Sequence, residues 1–530
     1  MNNIAFYGSH NAAVVVEQDG KIVTVIEIER FLSVKNAGYS QYSVSQTRKF
    51  LIKEILKYIE KEFGISEYDT CIQLNTDTLE GTKAEDFVFY EKLIPAKKYI
   101  GALHHESHAA CGFYQTDYQE ALIVSFDGGG NDGLFNIYHA KDRKTIELLE
   151  KNSTNVGFPY MSLGEFLGDI RREPTLDIGN LVYSGKIMGL ASYGEVNEEW
   201  LPAFEEYYKA SPEGPTYLKL LEEVSDKTGL VFDTENRYTD QTAWDIAKTS
   251  QIAFENVVME ILTPYLEEYP KLPLIVVGGC GLNILFNTML YEKLDREIFV
   301  PPNPNDCGIA TGMMLNFIKP DKAVDITYAG IGILDQDTLM SYAEEFGYGD
   351  TCHPVSIEEL VSDLEDGKIV GVVRDACEHG PRALGNRSIL CNPAYPEMKD
   401  ILNAKVKNRE WYRPFAPVCR LEDVSKYFNF EGESRWMSFC PTVKEEWREK
   451  LTSITHVDGT ARVQTVTKEQ NEWLYNLLTE FEEASGVGVL LNTSFNINGK
   501  PILSRYSDAI KVYRETEMDR LLLQDYYFVK

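Results

Sequence analysis

Positive charge is what this sequence has too little of. Its 530 residues carry 52 Lys+Arg against 82 Asp+Glu, a net charge of −30. A field of that sign repels polyanions, and no basic face runs along the chain, so binding to polymeric nucleic acid is not expected. A single nucleotide stays admissible, because a local pocket of arginines and lysines overrides the global field. Apolar runs long enough to cross a bilayer are missing, and the first residues, MNNIAFYGSH, have neither the basic start nor the apolar stretch of a secretory signal. The expectation is a soluble, cytoplasmic protein without a membrane partner. The nine cysteines stand singly from Cys71 to Cys440 with no C-x-x-C pair. That pattern argues for reduced thiols and against a disulfide framework or a cysteine metal site. GxxxxGK[ST] is also absent, which excludes a P-loop.

What is present is globular: 44% hydrophobic and 12% aromatic residues, in a chain long enough for two or three domains. Asn3–Tyr7 reads as a strand, and strand-like runs on either side of Asp19-Gly20 predict a hairpin. From Ser45 to Phe63 the period is helical, with Leu51, Ile55, Tyr58, Ile59 and Phe63 on one face and Gly64 as the stop. A buried strand, Ala121–Phe126, runs into DGGG. A long helix around Trp244–Leu262 precedes a second buried strand, Leu272–Val277, that runs into GGCG. Either glycine turn alone reads equally well as an ordinary tight turn. The pair favours a duplicated nucleotide-binding domain, in which glycines let the backbone approach phosphate. An acid-rich seam over 318–366 leads to a new strand, Ile369–Val373, and places a domain boundary near 350, to within about 15 residues.

Three constellations carry chemistry. His104-His105-Glu106-Ser107-His108 holds three of the eight histidines. On a helix, His104 and His108 share a face and suit one metal ion. Asp127, at the end of the first buried strand, and Asp306, in PPNPNDCG, complete a two-His, two-carboxylate set of nitrogen and oxygen donors. The competing reading is a hydrogen-bonded surface cluster. The second constellation is basic: Lys405, Lys407, Arg409 and Arg413 crowd NAKVKNREWYRPFAP, with Arg382 and Arg387 upstream and Arg462 downstream. Interleaved with proline, glycine and aromatic residues, they read as walls of an anion pocket; surface ion pairs are the alternative. The third is Asn492-Thr493-Ser494-Phe495-Asn496 at the end of GVGVLL, placed to line a ligand site or to cap a helix or turn.

Nine segments follow one another in an order that resembles the NodU/CmcH family of O-carbamoyltransferases over nearly the whole chain. They are HHESHAA, SFDGGG, GKIMGLASYG, GGCGLNILFN, PPNPNDCGIATG, EHGPRALGNRSIL, NAKVKNREWYRPFAPV, THVDGTARVQTV and LLNTSFNINGKPI. The resemblance implies an α/β (mixed α+β) protein. Residues 1–350 would be a duplicated domain of actin-like ATPase (ASKHA) fold with the metal and nucleotide site, and residues 351–530 a YrdC-like α/β domain. The second domain would take carbamoyl phosphate and ATP, as Mg-ATP, and make carbamoyl-adenylate, releasing phosphate and pyrophosphate. The first would hold the adenylate at a divalent metal, iron by resemblance. There a hydroxyl of a small acceptor (natural product, sugar or nucleotide) attacks the carbamoyl carbon and AMP leaves.

The resemblance also carries roles onto residues. His104, His108, Asp127 and Asp306 become the metal ligands. Gly278, Gly279 and Asn283, with Lys186, contact the nucleotide. Arg382, Lys407, Arg413, Arg462, Asn492 and Ser494 hold carbamoyl phosphate and the ATP phosphates. His10, in GSHNAA, and Lys35, in ERFLSVK, fall beside the acceptor, with His10 the candidate general base. Asn131, Ala376, Asn36 and Lys500 depart from residues frequent in the family. A homodimer is left open. Two other readings remain: a kinase or ATPase of the same fold releasing ADP, and a non-catalytic nucleotide- and metal-binding protein. The basic clusters argue against both, since neither needs a second anion pocket.

Overall fold

The computed structural model describes residues 1–38, 45–74, 93–170, 181–211, 216–345, 347 and 352–530; position 350, the expected boundary, lies outside them. The N-terminal runs of β-branched residues pair as a meander of β1 (Asn2–Tyr7), β2 (Ala13–Gln18) and β3 (Lys21–Glu27). The β2–β3 link is Asp19-Gly20, at φ 51° and 85°, the left-handed conformations a two-residue hairpin demands. On the other side of β1, β4 (Tyr68–Leu74) and β5 (Ala96–Gly101) add in parallel, giving the order β3-β2-β1-β4-β5. The expected helix occupies Ser45–Phe63.

A second sheet repeats this plan. β6 (Ala121–Phe126), β7 (Phe135–Asp142) and β8 (Thr145–Asn152) are antiparallel, and β9 (Leu274–Val277) and β10 (Ile298–Phe299) add in parallel beside β6, in the order β10-β9-β6-β7-β8. Three antiparallel strands extended by two parallel ones, twice over, is the duplicated actin-like ATPase fold. The expected strand Leu272–Val277 is shorter at its start, and the expected helix Trp244–Leu262 runs longer, Asp240–Glu268, continuing through Pro264.

Two helices, His104–Phe113 and Ile309–Ile318, lie between the sheets. The second reads IATGMMLNFI because it is covered on both sides. Ile309, Ala310, Met313 and Met314 pack on the first sheet, and Leu315 joins Ala109, Ala110 and Phe113 against the second. The helices approach so closely at Gly312 that a Cβ there would run into the Ser107 carbonyl oxygen.

A third, eight-stranded sheet takes all its strands from 352–529, in the order β11-β18-β17-β12-β13-β16-β14-β15. These are β11 (Cys352–Pro354), β12 (Val370–Val373), β13 (Arg387–Cys391), β14 (Ala416–Arg420), β15 (Gln464–Val466), β16 (Val489–Ser494), β17 (Arg520–Leu523) and β18 (Tyr526–Val529). Helices Ile357–Glu365 and Glu472–Ser485 bury their apolar stripes on one face of it, Leu364, Leu474 and Phe481 among them. Among the described residues no helix is long and apolar enough to cross a membrane.

Candidate active site

Parallel pairing of β6 with β9 sets Leu122 beside Leu274 and Ser125 beside Val277, so both strands deliver their glycine turns to the same edge. Asp127 and Gly279 meet there, and the Gly279 amide donates to Asp127 Oδ2 at 2.6 Å. Gly278 has φ 90°, and a Cβ on it would strike the Phe126 carbonyl, so only glycine lets the turn pass this close. From the inter-sheet helix, His104 and His108 project together with their Nε2 atoms 3.2 Å apart. The helix start is held by the loop after β6. Asn131 Oδ1 accepts from the His104 amide at 3.0 Å, and the Asp132 carboxylate accepts from His105 and Glu106 at 2.9 and 3.2 Å.

The two histidines face two carboxylates. Asp127 Oδ2 lies 3.8 and 3.4 Å from the Nε2 atoms of His104 and His108, and Asp306 Oδ1 lies 3.8 and 3.6 Å from them. The four donor atoms fall within 4.8 Å of one another. The second Asp306 oxygen accepts from the Tyr7 hydroxyl and sits 3.4 Å from His10 Nε2. Burial opposes charge on His108, but Asp127 and Asp306 outweigh it and lift the imidazole to about 9. Burial likewise opposes ionisation of Asp127, and the two histidines outweigh it, holding the carboxyl well below its ordinary range. Two nitrogens and two carboxylate oxygens, already converging, suit a divalent first-row metal. The third histidine of the motif turns away. His105 bonds Ser125 Oγ at 2.8 Å and the Gly133 carbonyl at 3.0 Å, and burial, with His104 next to it, pushes it down to about 3.

Glu27, Cys307 and His379 also lie close together, but their atoms are spent on each other's surroundings. Glu27 pairs with Arg30 at 3.1 Å and accepts from the Gly380 amide at 2.7 Å. His379 Nε2 donates to the Cys307 carbonyl at 3.1 Å, and its Nδ1 accepts from Asn303 at 3.2 Å. Arg30, fully buried, donates to the carbonyls of Glu378 and Gly380. Glu378 Oε1 in turn gathers the amides of Leu384, Asn386 and Arg387. These bonds clamp residues 377–387 onto the first sheet and onto the loop that carries Asp306. Sequence reasoning missed the clamp, because single residues some 350 positions apart leave no local pattern.

One cavity of about 660 Å³ reaches from the His/Asp cluster to the basic residues. Its first end is lined by His10, Lys35, His104, Asp127 and Asp306, and its middle by Gly279 and Asn283. The far wall comes from Arg382, Lys407, Arg413 and Arg462, with Asn492 and Ser494 beside them. Two sets of residues assigned from sequence to separate sites therefore share one space. Asn283 both lines it and caps the helix Ile284–Lys293 by accepting from the Phe286 amide at 3.0 Å.

The far wall is only partly compensated: Arg413 pairs with Glu410 at 3.5 Å. Nε of Arg382 and of Arg462 is buried without a hydrogen-bond partner. Burial, then Arg413, pushes Arg382 down to about 10, and burial with Arg382 and Arg413 pushes Arg462 well below its ordinary value. Burial and three neighbouring cations, Arg409, Arg413 and Lys35, do the same to Lys407. Its ammonium donates to the Ser494 carbonyl and to Asn496 Oδ1, both at 2.5 Å. Asn492 spends its amide on Ala383 and Gln464, at 3.1 and 2.6 Å, and its buried Oδ1 has no partner. Cations crowded together on a half-buried wall are the arrangement an oligophosphate compensates.

Four expected residues stand elsewhere. Lys405 is exposed and pairs with Glu517 at 2.8 Å. Arg387 is buried but bonds the carbonyls of Arg374, Asp375 and Asn386, behind the wall. Gly278 shapes its turn without lining the cavity, and Lys186, expected at the nucleotide, is buried against Glu410 at 2.8 Å. For Lys405, Arg387 and Lys186, direction of the side chain, which depends on the tertiary packing of each segment, separates them from their neighbours.

Two actin-like halves around a His/Asp cluster, with a third sheet whose connecting segments bring arginines to the same cavity, define a protein of duplicated actin-like fold joined to a further sheet domain. Residues 49–315 match the family model of the carbamoyltransferase N-terminus and residues 361–530 that of the carbamoyltransferase C-terminus. The chain belongs to the carbamoyltransferase family. It is similar to nodulation protein NolNO of Sinorhizobium fredii, 28% identical over 98% of this chain and 79% of that protein. An uncharacterized protein of Methanocaldococcus jannaschii is 30% identical over 98% of each chain. Nodulation protein NolO of Bradyrhizobium diazoefficiens is 32% identical over 79% of this chain and 77% of that one.

Proposed function

We propose that this carbamoyltransferase forms carbamoyl-adenylate at the arginine wall and transfers its carbamoyl group to a small-molecule hydroxyl beside the His/Asp cluster. The observation that carries this reading is the single cavity onto which both sets of residues open. Water cleaves carbamoyl phosphate to carbamate and phosphate. A carbamate oxygen then attacks the α-phosphorus of ATP, and pyrophosphate leaves. Finally the acceptor oxygen attacks the carbamoyl carbon, its proton passes to a base, and AMP departs. Activation as a mixed anhydride gives a poor electrophile a good leaving group.

The residues divide this work by chemistry. Arg382, Arg413 and Arg462 bind the phosphate oxygens through charge-assisted bonds, and Lys407 adds a cation held in place by Ser494. Asn492 Oδ1, a buried acceptor without a donor, suits the carbamoyl NH₂. Gly279 and Asn283 line the path of the adenylate toward the cluster. His10, steadied by Asn11 Oδ1 at 3.1 Å, takes the acceptor proton, and Lys35 stands on the same wall. A divalent metal held by His104, His108, Asp127 and Asp306, iron by family resemblance, supplies Lewis-acid polarisation there. On this reading the chain divides near 350 into a transfer unit and an adenylate-forming, YrdC-like unit, with Mg-ATP as co-substrate and a natural product, sugar or nucleotide as acceptor.

The test is product identity. ATP incubated with the enzyme is expected to release pyrophosphate, with its AMP half retained in carbamoyl-adenylate, only when carbamoyl phosphate is present. Formation of ADP, or turnover indifferent to carbamoyl phosphate, overturns the reading in favour of a kinase or ATPase of the same fold.

A further inference from the structure

We propose that Lys186 is a positioning residue of the arginine wall: it holds Glu410, and Glu410 holds Arg413. The proposal rests on the carbamoyl-adenylate reading and adds to it a part that the N-terminal half plays in the first half-reaction. Lys186 lies on the helix Tyr183–Ala191, and Glu410 lies in the basic segment KNREWYRP of the other half. Their side chains meet at 2.8 Å, 1% and 2% exposed. Gly189, one turn along that helix, brings the backbone so close that a Cβ would press on the Tyr412 ring at 3.3 Å. The helix therefore rests directly on the segment that carries Arg413.

A buried ion pair is weak evidence for stability, since apolar residues of similar size often serve the fold as well. The trio has a clearer electrostatic use. Arg413 is repelled by Arg382 and Arg462, and the Glu410 carboxylate, 3.5 Å from its Nη1, holds it against that repulsion. Burial favours the neutral Glu410 acid, but Lys186 and Arg413 outweigh it, so the carboxylate is charged. A lone carboxylate here would turn to Arg413, cancel its charge and draw its guanidinium away from the cavity. With Lys186 occupying Oε1, the three groups sum to one positive charge, and Arg413, 29% exposed, faces the cavity.

The experiment uses the full-length chain with Lys186→Met, Lys186→Arg, Lys186→Met/Glu410→Met, Arg413→Ala, and Arg413→Ala combined with the Met pair. Affinity for inorganic pyrophosphate is measured by calorimetry, and KM for carbamoyl phosphate by pyrophosphate release. The Met pair replaces the ions by apolar side chains of similar length, so a melt close to wild type separates positioning from folding. Lys186→Met and the Met pair are expected to weaken pyrophosphate binding and raise that KM by about tenfold or more, as loss of one charge-assisted phosphate contact does. Lys186→Arg should restore most of it. In the Arg413→Ala background the Met pair should add nothing, because its effect passes through Arg413. A Met pair that binds pyrophosphate as wild type does, or an effect that adds in full to Arg413→Ala, overturns the proposal. If wild-type enzyme binds pyrophosphate yet releases none from ATP and carbamoyl phosphate, the carbamoyl-adenylate reading fails, and the calorimetric cycle still decides the role of Lys186.

Discussion

Replacing Arg382 by methionine is expected to make the ligand-free protein harder to melt while weakening its grip on phosphate substrates. The side chain is half-buried on the cavity wall, its buried Nε has no partner, and burial followed by Arg413 pushes it from its ordinary value down to about 10. At about 1.4 kcal/mol per pH unit, that drop corresponds to roughly 3 kcal/mol held against the charged side chain in the free protein. Methionine keeps the apolar stem and removes the charge, so up to about that much returns as stability. Against it stands the loss of charge-assisted bonds to phosphate, about 1.5–3 kcal/mol each, or roughly tenfold to a hundredfold in KM for carbamoyl phosphate. The assay is a thermal melt without ligand beside carbamoyl-phosphate-dependent pyrophosphate release. A structural arginine gives the reverse signs, and an Arg382→Met protein that melts lower yet releases pyrophosphate normally refutes the anion-wall reading.

Other expectations follow from the same geometry. His104→Ala and Asp306→Ala should each lose bound divalent metal and carbamoyl transfer while keeping pyrophosphate release; elemental analysis showing undiminished metal in either variant removes the cluster from metal binding. Gly312→Ala drives a Cβ into the Ser107 carbonyl and must shift the helix bearing both histidines, so a lower melt by about 1–3 kcal/mol and weaker metal retention are expected together; a variant unchanged in both refutes that packing argument. His379 is held down to about 3 chiefly by burial, whereas unfolded histidine titrates near 6.5. The unfolded chain alone takes up that proton, so stability is full above about pH 6.5 and falls by about 1.4 kcal/mol per pH unit toward pH 3. His379→Gln should flatten that acid limb in urea midpoints measured against pH, and an unchanged slope means His379 is protonated in the fold.

Short-range physics made part of this protein legible in its sequence. Asp19-Gly20 announces a hairpin because the turn needs two left-handed residues, and Gly64 closes the helix Ser45–Phe63 for a related reason. The strands β6 and β9 declare themselves as apolar runs ending in glycine. His104 and His108 declare a shared face by a spacing of one helical turn. The nine ordered motifs, read together, pointed to the carbamoyltransferases that the family models identify. Only the tertiary structure decided what those pieces meet. Asp127 reaches the histidines because β6 pairs with β9 across more than a hundred intervening residues, and Asp306 does so because the helix after it is buried between two sheets. Nothing local distinguishes Arg382 from Arg387, or Lys407 from Lys405. Pairing of β13 with β12 and β16, and the docking of 377–387 by Glu27 and Arg30, turn Arg382 into the cavity and Arg387 away, whereas Lys407 meets Ser494 at the end of β16 and Lys405 meets Glu517 outside. Lys186 and Glu410 carry opposite charges in any reading of the chain, but their encounter exists only where the two halves touch. Contacts of that range are selected by burial of whole faces, and a face has no address in the sequence of any one element.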